Sequence, residues 1–174
     1  MTTPVLGVDI GNTTCSVALY RQGQVDVVTN AQGNRSTPSV VGFTDVEPLL
    51  GEAAKGQLSR NPQNTVVDVL LLIGRGYEAP EVQAALKRWR FRVTAGKDGD
   101  AQIEVQLKGE AKVYSPQRLL SLLLAHLRAE AESYAGVAVK DVVIAMPPHF
   151  NEAQRNALKE AAQMGVRCRV LQTR

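Results

Sequence analysis

Val5-Leu6-Gly7-Val8-Asp9-Ile10-Gly11-Asn12-Thr13-Thr14 decides how the rest of this chain is read. An apolar run carries one carboxylate near its end, a small polar turn follows, and a second apolar run extends from Cys15 to Tyr20. The pattern predicts a β-hairpin whose first strand is buried on both faces. Gly11 and Asn12 suit the turn because both tolerate positive φ. A carboxylate at the end of a buried strand requires a partner, because burying it unpaired is costly. A metal, a metal-bound water or a phosphate reached through Mg²⁺ would supply one. The backbone N–H groups of the turn and the hydroxyls of Thr13 and Thr14 are further donors for phosphate oxygens. The stretch reads either as a phosphate-binding hairpin or as an ordinary hairpin with an exposed aspartate at a strand end.

Outward from the hairpin, Arg21-Gln22-Gly23-Gln24 makes a turn into a third strand, Val25 to Thr29. A polar loop with Gly and Pro follows from Asn30 to Pro38, then a β-branched strand from Ser39 to Phe43. Glu52 to Arg60 and Glu81 to Arg88 read as short helices, with Thr65 to Ile73 helical or extended between them. Phe91 to Ala95, Gln102 to Leu107 and Lys112 to Tyr114 form a small antiparallel sheet, joined by turns at Gly96–Asp100 and Lys108-Gly109-Glu110. Ser115-Pro116 caps a long helix to Ala135, ended by Gly136. Its apolar face holds Leu119, Leu120, Leu123 and Leu127, with Glu130 and Glu132 in an exposed second half. Asp141 to Met146 is a buried strand. Asn151-Glu152-Ala153-Gln154 is a capping box opening a helix to Met164, closed by Gly165, before a last strand from Cys168 to Leu171. The order is three antiparallel strands, an insertion, then strand–helix–strand, the last unit a parallel crossover. The fold class is therefore α/β.

At 174 residues with 44% apolar and 21% charged content, the chain is globular and large enough for a real core. A net charge of +3 is too small to argue for nucleic acid without a clustered patch. The one basic cluster, Lys87-Arg88-Trp89-Arg90-Phe91-Arg92, reads as two inward aromatics between solvated cations, not as a nucleic-acid surface. Cys15 and Cys168 are far apart with no paired spacing, which suits a reducing, cytoplasmic compartment and argues against a disulfide framework or a structural zinc. No secretory leader opens the chain, and the leucines near Leu122 are interrupted by Ser121, His126 and Arg128, so no membrane span is expected. His126 and His149 read as surface or interface residues, and no G-x-S-x-G marks a hydrolase nucleophile.

The order of elements and several words of sequence resemble the Hsp70 chaperone family, within the actin-like and hexokinase-like ATPase fold. The words are Gly7-Val8-Asp9-Ile10-Gly11, Asn34-Arg35-Ser36-Thr37-Pro38-Ser39, Gly51-Glu52-Ala53-Ala54-Lys55, Asn61-Pro62-Gln63-Asn64-Thr65-Val66, Ile73-Gly74-Arg75, Val142-Val143-Ile144-Ala145-Met146-Pro147 and Phe150-Asn151-Glu152-Ala153-Gln154-Arg155. The resemblance implies the first lobe of an actin-like, ribonuclease-H-like nucleotide-binding domain. Residues 1–35 and 115–174 would make the base subdomain, and 36–114 a small inserted one. It implies ATP or ADP with Mg²⁺, held through Asp9 by way of metal-bound water, with Gly11, Asn12, Thr13 and Thr14 as the first phosphate loop. Pro147 and Arg155 match the proline switch and arginine relay that carry the nucleotide state to a substrate-binding domain. The implied work is protein folding and stress response, with J-domain co-chaperones and other chaperone components as partners.

Departures from the pattern fall at the chemistry. Leu70 stands where the resemblance implies a lysine reaching the γ-phosphate and attacking water, and Leu71 replaces a basic residue. Losing one group that stabilises developing charge typically costs a factor of about 10²–10³ in rate. Asn12 stands where threonine is usual and Thr14 where an aromatic is usual. Thr173 and Arg174 fall where an Asn-Glu pair is expected, and the second phosphate loop, adenosine pocket and peptide-binding domain are not in this sequence. The expectation is a divergent Hsp70-like lobe that neither holds ATP tightly nor hydrolyses it, and whose sheet exposes an apolar face for a partner or a second copy. The alternative is a non-catalytic interaction module binding co-chaperones. A small-molecule kinase of the same superfold is the third reading.

Overall fold

The computed structural model describes residues 4–166 and 169–172. The chain opens with β1 (Val5–Ile10), β2 (Thr14–Arg21) and β3 (Gln24–Val27), an antiparallel meander. The turn between β2 and β3 holds Gln22 and Gly23 at φ 52° and 82°, the left-handed pair that a two-residue hairpin of native twist demands. A short β4 (Thr37–Pro38) then returns to pair with Thr14 and Cys15 of β2.

Two smaller antiparallel sheets follow. β5 (Val41–Phe43) pairs with β6 (Pro48–Leu50) on one side and, beyond α1 (Glu52–Gln57), with β7 (Thr65–Val66) on the other. After α2 (Val69–Leu72) and α3 (Pro80–Leu86), β8 (Arg92–Ala95), β9 (Ala101–Leu107) and β10 (Glu110–Tyr114) form the second meander. The chain then returns through α4 (Pro116–Ala135), β11 (Asp141–Ala145), α5 (Glu152–Val166) and β12 (Arg169–Gln172). β11 lies parallel to β1, and β12 parallel to β11, so the main sheet is mixed in the order β12-β11-β1-β2-β3. This is the mixed α/β architecture of an actin-like ATPase lobe.

Helix ends follow local chemistry. The Ser115 hydroxyl accepts from the Arg118 N–H at 3.2 Å, Pro116 sits at the first helical position, and Gly136 closes α4 at φ 69°. The Asn151 side chain accepts from the Gln154 N–H at 2.9 Å while Gln154 Oε1 accepts from the Asn151 N–H at 3.2 Å, a reciprocal capping box on α5. Leu119, Leu120, Leu123, Leu124 and Leu127 of α4 and Leu158, Ala161 and Ala162 of α5 form one buried cluster with Leu6, Val8, Ile10, Cys15, Val17 and Leu19 of the sheet.

The structure corrects the sequence reading in three places. β1 is buried on one face only: Leu6, Val8 and Ile10 point into the core, whereas Asp9 is exposed and Val5 and Gly7 are half-buried on the other face. The apolar run conceals an ordinary alternation because the outer face is itself apolar. Gly165 lies inside α5 and does not terminate it. A Cβ there would run into the Ser121 carbonyl of α4, so the glycine permits close helix packing. Glu130 and Glu132 are half-buried and paired: Glu130 lies 3.5 Å from His126 and accepts from Thr37, and Glu132 meets Arg128 at 3.0 Å. The expected last strand, Cys168 to Leu171, is matched by β12 over its described residues, and Cys168 lies outside the described residues.

Candidate functional site

The hairpin loop between β1 and β2 is closed by the Gly11 N–H donating to the Thr14 carbonyl at 3.0 Å, with Ile10 opposite Cys15. Neither Gly11 nor Asn12 adopts positive φ, contrary to the turn type expected from the sequence. Glycine is required for a different reason: a Cβ at Gly11 would stand 2.5 Å from the Thr14 carbonyl oxygen. Ser39, just past β4, supports the loop from the core side. Its N–H donates to the Thr13 carbonyl at 2.9 Å and its hydroxyl to the Gly11 carbonyl at 2.7 Å. The loop is thus fixed by its own backbone and one buried serine, which leaves the Asn12, Thr13 and Thr14 side chains exposed.

Asp9 stands at the loop's entrance on the outer face of the sheet, opposite Ser16 on β2 and Ala145 on β11. It is exposed, so no buried partner is needed to account for it. Cys15, one residue beyond the loop, is fully buried and shares a hydrogen bond with Ser39 at 3.1 Å. Burial pushes its thiol above the ordinary cysteine range. The hydrogen bonds from Ser39 and the Gly11 backbone oppose that shift, and the nearby Asp9 carboxylate adds to it.

Leu70 lies on α2, only 7% exposed and part of the apolar cluster. The position at which the resemblance implies a lysine is therefore occupied by core. Asp68, at the N-cap of α2, makes no side-chain cap bond. Its carboxylate instead accepts from Asn12 Nδ2 at 2.7 Å and from Trp89 Nε1 at 2.9 Å. Sequence reasoning did not single out Asp68 or Ser39. Trp89 and Phe91 pack inward as expected, buried and stacked at 5.1 Å, with Lys87, Arg88, Arg90 and Arg92 exposed around them.

Pro147 and Arg155 are brought together. Phe150 N–H donates to the Pro147 carbonyl at 3.1 Å, and the Arg155 guanidinium donates to the carbonyls of Phe150 at 2.9 Å and Pro148 at 3.3 Å. Arg155 thereby fastens the turn after β11 to the first turn of α5. Gly74, at φ 64°, abuts the same turn: a Cβ there would stand 2.6 Å from Gln154 Cα. Among the described residues no group of three or more His, Cys, Asp or Glu side chains is placed to hold a metal ion directly. No helix among them is long and apolar enough to cross a membrane.

A family model described as "Hsp70 protein" matches residues 5–169. The chain is similar to a heat shock 70 kDa protein of Emericella nidulans, 46% identical over 158 residues that cover 91% of this chain and 24% of the relative. It is similar to a heat shock 70 kDa protein of Neurospora crassa, 43% identical over 158 residues, again 91% of this chain and 24% of the relative. It is also similar to heat shock cognate 70 kDa protein 3 of Dictyostelium discoideum, 43% identical over 157 residues, covering 90% of this chain and 25% of the relative. The chain spans about a quarter of the length of these relatives.

Proposed function

Because this chain belongs to the Hsp70 family, we propose that it is the first lobe of an Hsp70-type nucleotide-binding domain, with residues 1–35 and 115–174 as base and 36–114 as insert. Its context would be ATP-dependent protein folding and stress response in the cytoplasm, with J-domain co-chaperones as partners. The observation that carries this reading is the hairpin loop. Gly11 admits no side chain, Thr13 and Thr14 present exposed hydroxyls, and Asp9 stands free at the entrance. A loop of this kind fits the phosphates of a magnesium nucleotide. When bound, Mg²⁺ would supply the positive charge that the loop lacks. Asp9 would orient the ion's hydration shell, and the exposed Thr13 and Thr14 hydroxyls would offer the phosphate oxygens donors.

The same geometry argues against efficient hydrolysis. Phosphoryl transfer requires fixed positive charge where negative charge develops. Leu70 is apolar and buried in the place where that charge is expected. We therefore assign this lobe weak nucleotide binding and impaired turnover. Pro147 and Arg155, already joined through the Pro147–Phe150 turn, would relay the state of the cleft outward.

Millimolar Mg-ATP should shift the backbone amide resonances of Gly11 to Thr14 in the wild-type chain and leave them unmoved in Asp9→Ala. Calorimetry should show little or no heat with ATP or ADP. Amide shifts confined to other elements would overturn the phosphate-loop reading, and saturable micromolar heat would overturn weak binding by a single lobe.

A second reading, a non-catalytic module that docks co-chaperones, is favoured by the outer face of the main sheet. There Gly7, Ser16, Ala18, Val27 and Val143 line an open hollow. Capture of a J-domain protein by the chain without nucleotide, lost in Ala18→Lys, would select that reading.

A further inference from the structure

Asp68 is turned away from its own helix. An aspartate at an N-cap ordinarily accepts from the N–H groups of the first turn. Here the α2 cap has no side-chain bond, and each carboxylate oxygen is given to a donor from elsewhere in the chain. Oδ1 accepts from Asn12, 56 residues away on the hairpin loop, and Oδ2 from the indole of Trp89, 21 residues away. The backbone that aims the side chain is left-handed, φ 56° and ψ 32°, a conformation aspartate tolerates better than most residues. Behind it, Val69, Leu70 and Leu72 are buried, so the cap rests on core. Trp89 is itself buried and stacked on Phe91, which leads directly into β8.

We propose that Asp68 is a positioning residue whose carboxylate couples the conformation of the hairpin loop to Trp89, so that occupation of the loop is felt in the β8-β9-β10 sheet. The coupling rests, for its ligand, on the phosphate-loop reading above. An Asn12 N–H held by Asp68 is not available to a phosphate oxygen. A polyphosphate entering the loop therefore competes with Asp68 for that amide, and the released carboxylate oxygen changes the environment of the indole. The carboxylate also repels an uncompensated phosphate, so the exchange proceeds with the magnesium complex and not with the free anion.

Trp89 is the sole tryptophan of the chain, so its emission reports this network alone. The first experiment needs no nucleotide. In the full chain, Asn12→Ala, an exposed loop change that leaves the core untouched, should shift Trp89 emission. In an Asp68→Ala background the same substitution should add nothing. Trp89→Phe, which keeps the ring against Phe91, should in return speed hydrogen exchange of the Gly11 and Ser39 amides by roughly tenfold, the factor for one charge-assisted hydrogen bond. Additive emission changes, or loop exchange in Trp89→Phe equal to wild type, would overturn the coupling.

Adding Mg-ATP separates this inference from the reading beneath it. Loop amide shifts with an emission change that is lost in Asn12→Ala support both. Loop shifts with no emission change sink the coupling and leave the phosphate loop standing. No loop shift at all removes the ligand, while the nucleotide-free experiment still decides whether Asp68 couples loop to indole.

Discussion

Gly165 of α5 lies directly against the Ser121 carbonyl of α4, with no room between them for a methyl group. Glycine inside a helix normally costs about 1 kcal/mol relative to alanine. At this crossing the sign should reverse. Gly165→Ala forces the two helices apart or the backbone to shift, an overpacking that typically costs about 1–3 kcal/mol. Urea unfolding should show a lower midpoint for the variant. Exposed Gly56 of α1, where nothing stands near an added Cβ, should give the opposite sign on the same substitution.

Leu70→Lys restores the residue type that the family resemblance implies, at a site that has become core. Leu70 is 7% exposed, so the lysine must thread its methylenes through the cluster and carry its ammonium to the cleft. We expect a loss of about 1–3 kcal/mol of stability, because an apolar contact is lost and a charge must be partly desolvated. We also expect tighter binding of Mg-nucleotide, because the family resemblance implies a positive charge for the phosphates at this position. Thermal melting and calorimetry on the same preparation measure the two effects. A less stable variant with unchanged nucleotide binding would show that the ammonium does not reach the phosphates.

What was legible in the sequence was local. Ser115 and Gly136 bound α4, and Asn151 with Gln154 caps α5, because caps are settled by residues within one turn of one another. Trp89 and Phe91 read as inward because their neighbours on either side are charged. Gly165 was misread because a helix-ending glycine and a close-packing glycine carry the same local signal. Only the partner helix tells them apart. The outer face of β1 was misread because Val5 and Gly7 hide the alternation, although the expectation of an apolar sheet face was met. Asp68 gave no signal at all. Its two partners lie far along the chain, and an aspartate before a helix reads as an ordinary cap.

The outer face of the main sheet predicts association. Tyr20, Val25 and Val27 are 52%, 67% and 48% exposed, and they continue the hollow lined by Gly7, Ala18 and Val143. Contiguous apolar surface of this kind seeks cover. Ala18→Lys places a charge in the middle of the hollow and should weaken self-association, measured by sedimentation, by roughly tenfold, the cost of leaving one unpaired charge in an apolar contact. Because Ala18 is only half-buried, the folded chain should stay within about 1 kcal/mol of wild type. Equal association by both proteins would place any self-contact elsewhere.

Cys15 makes stability depend on alkaline pH. Burial raises its thiol pKa in the folded chain, ahead of the opposing hydrogen bonds from Ser39 and Gly11. The unfolded chain then loses its proton first as pH rises. Below the ordinary thiol range both states are protonated and the contribution is constant. Above it the unfolded state is favoured, and stability falls until the folded thiol also ionises. In a Cys168→Ser background, which leaves Cys15 as the sole thiol, unfolding midpoints should be flat near neutrality and decline above the ordinary thiol range. Cys15→Ala should remove that part of the decline. Modification of Cys15 by a thiol reagent should track unfolding and not surface exposure, because the side chain is fully buried beneath the hairpin loop. Fast labelling of the native chain at neutral pH would mean that the loop opens and that Ser39 does not hold it closed.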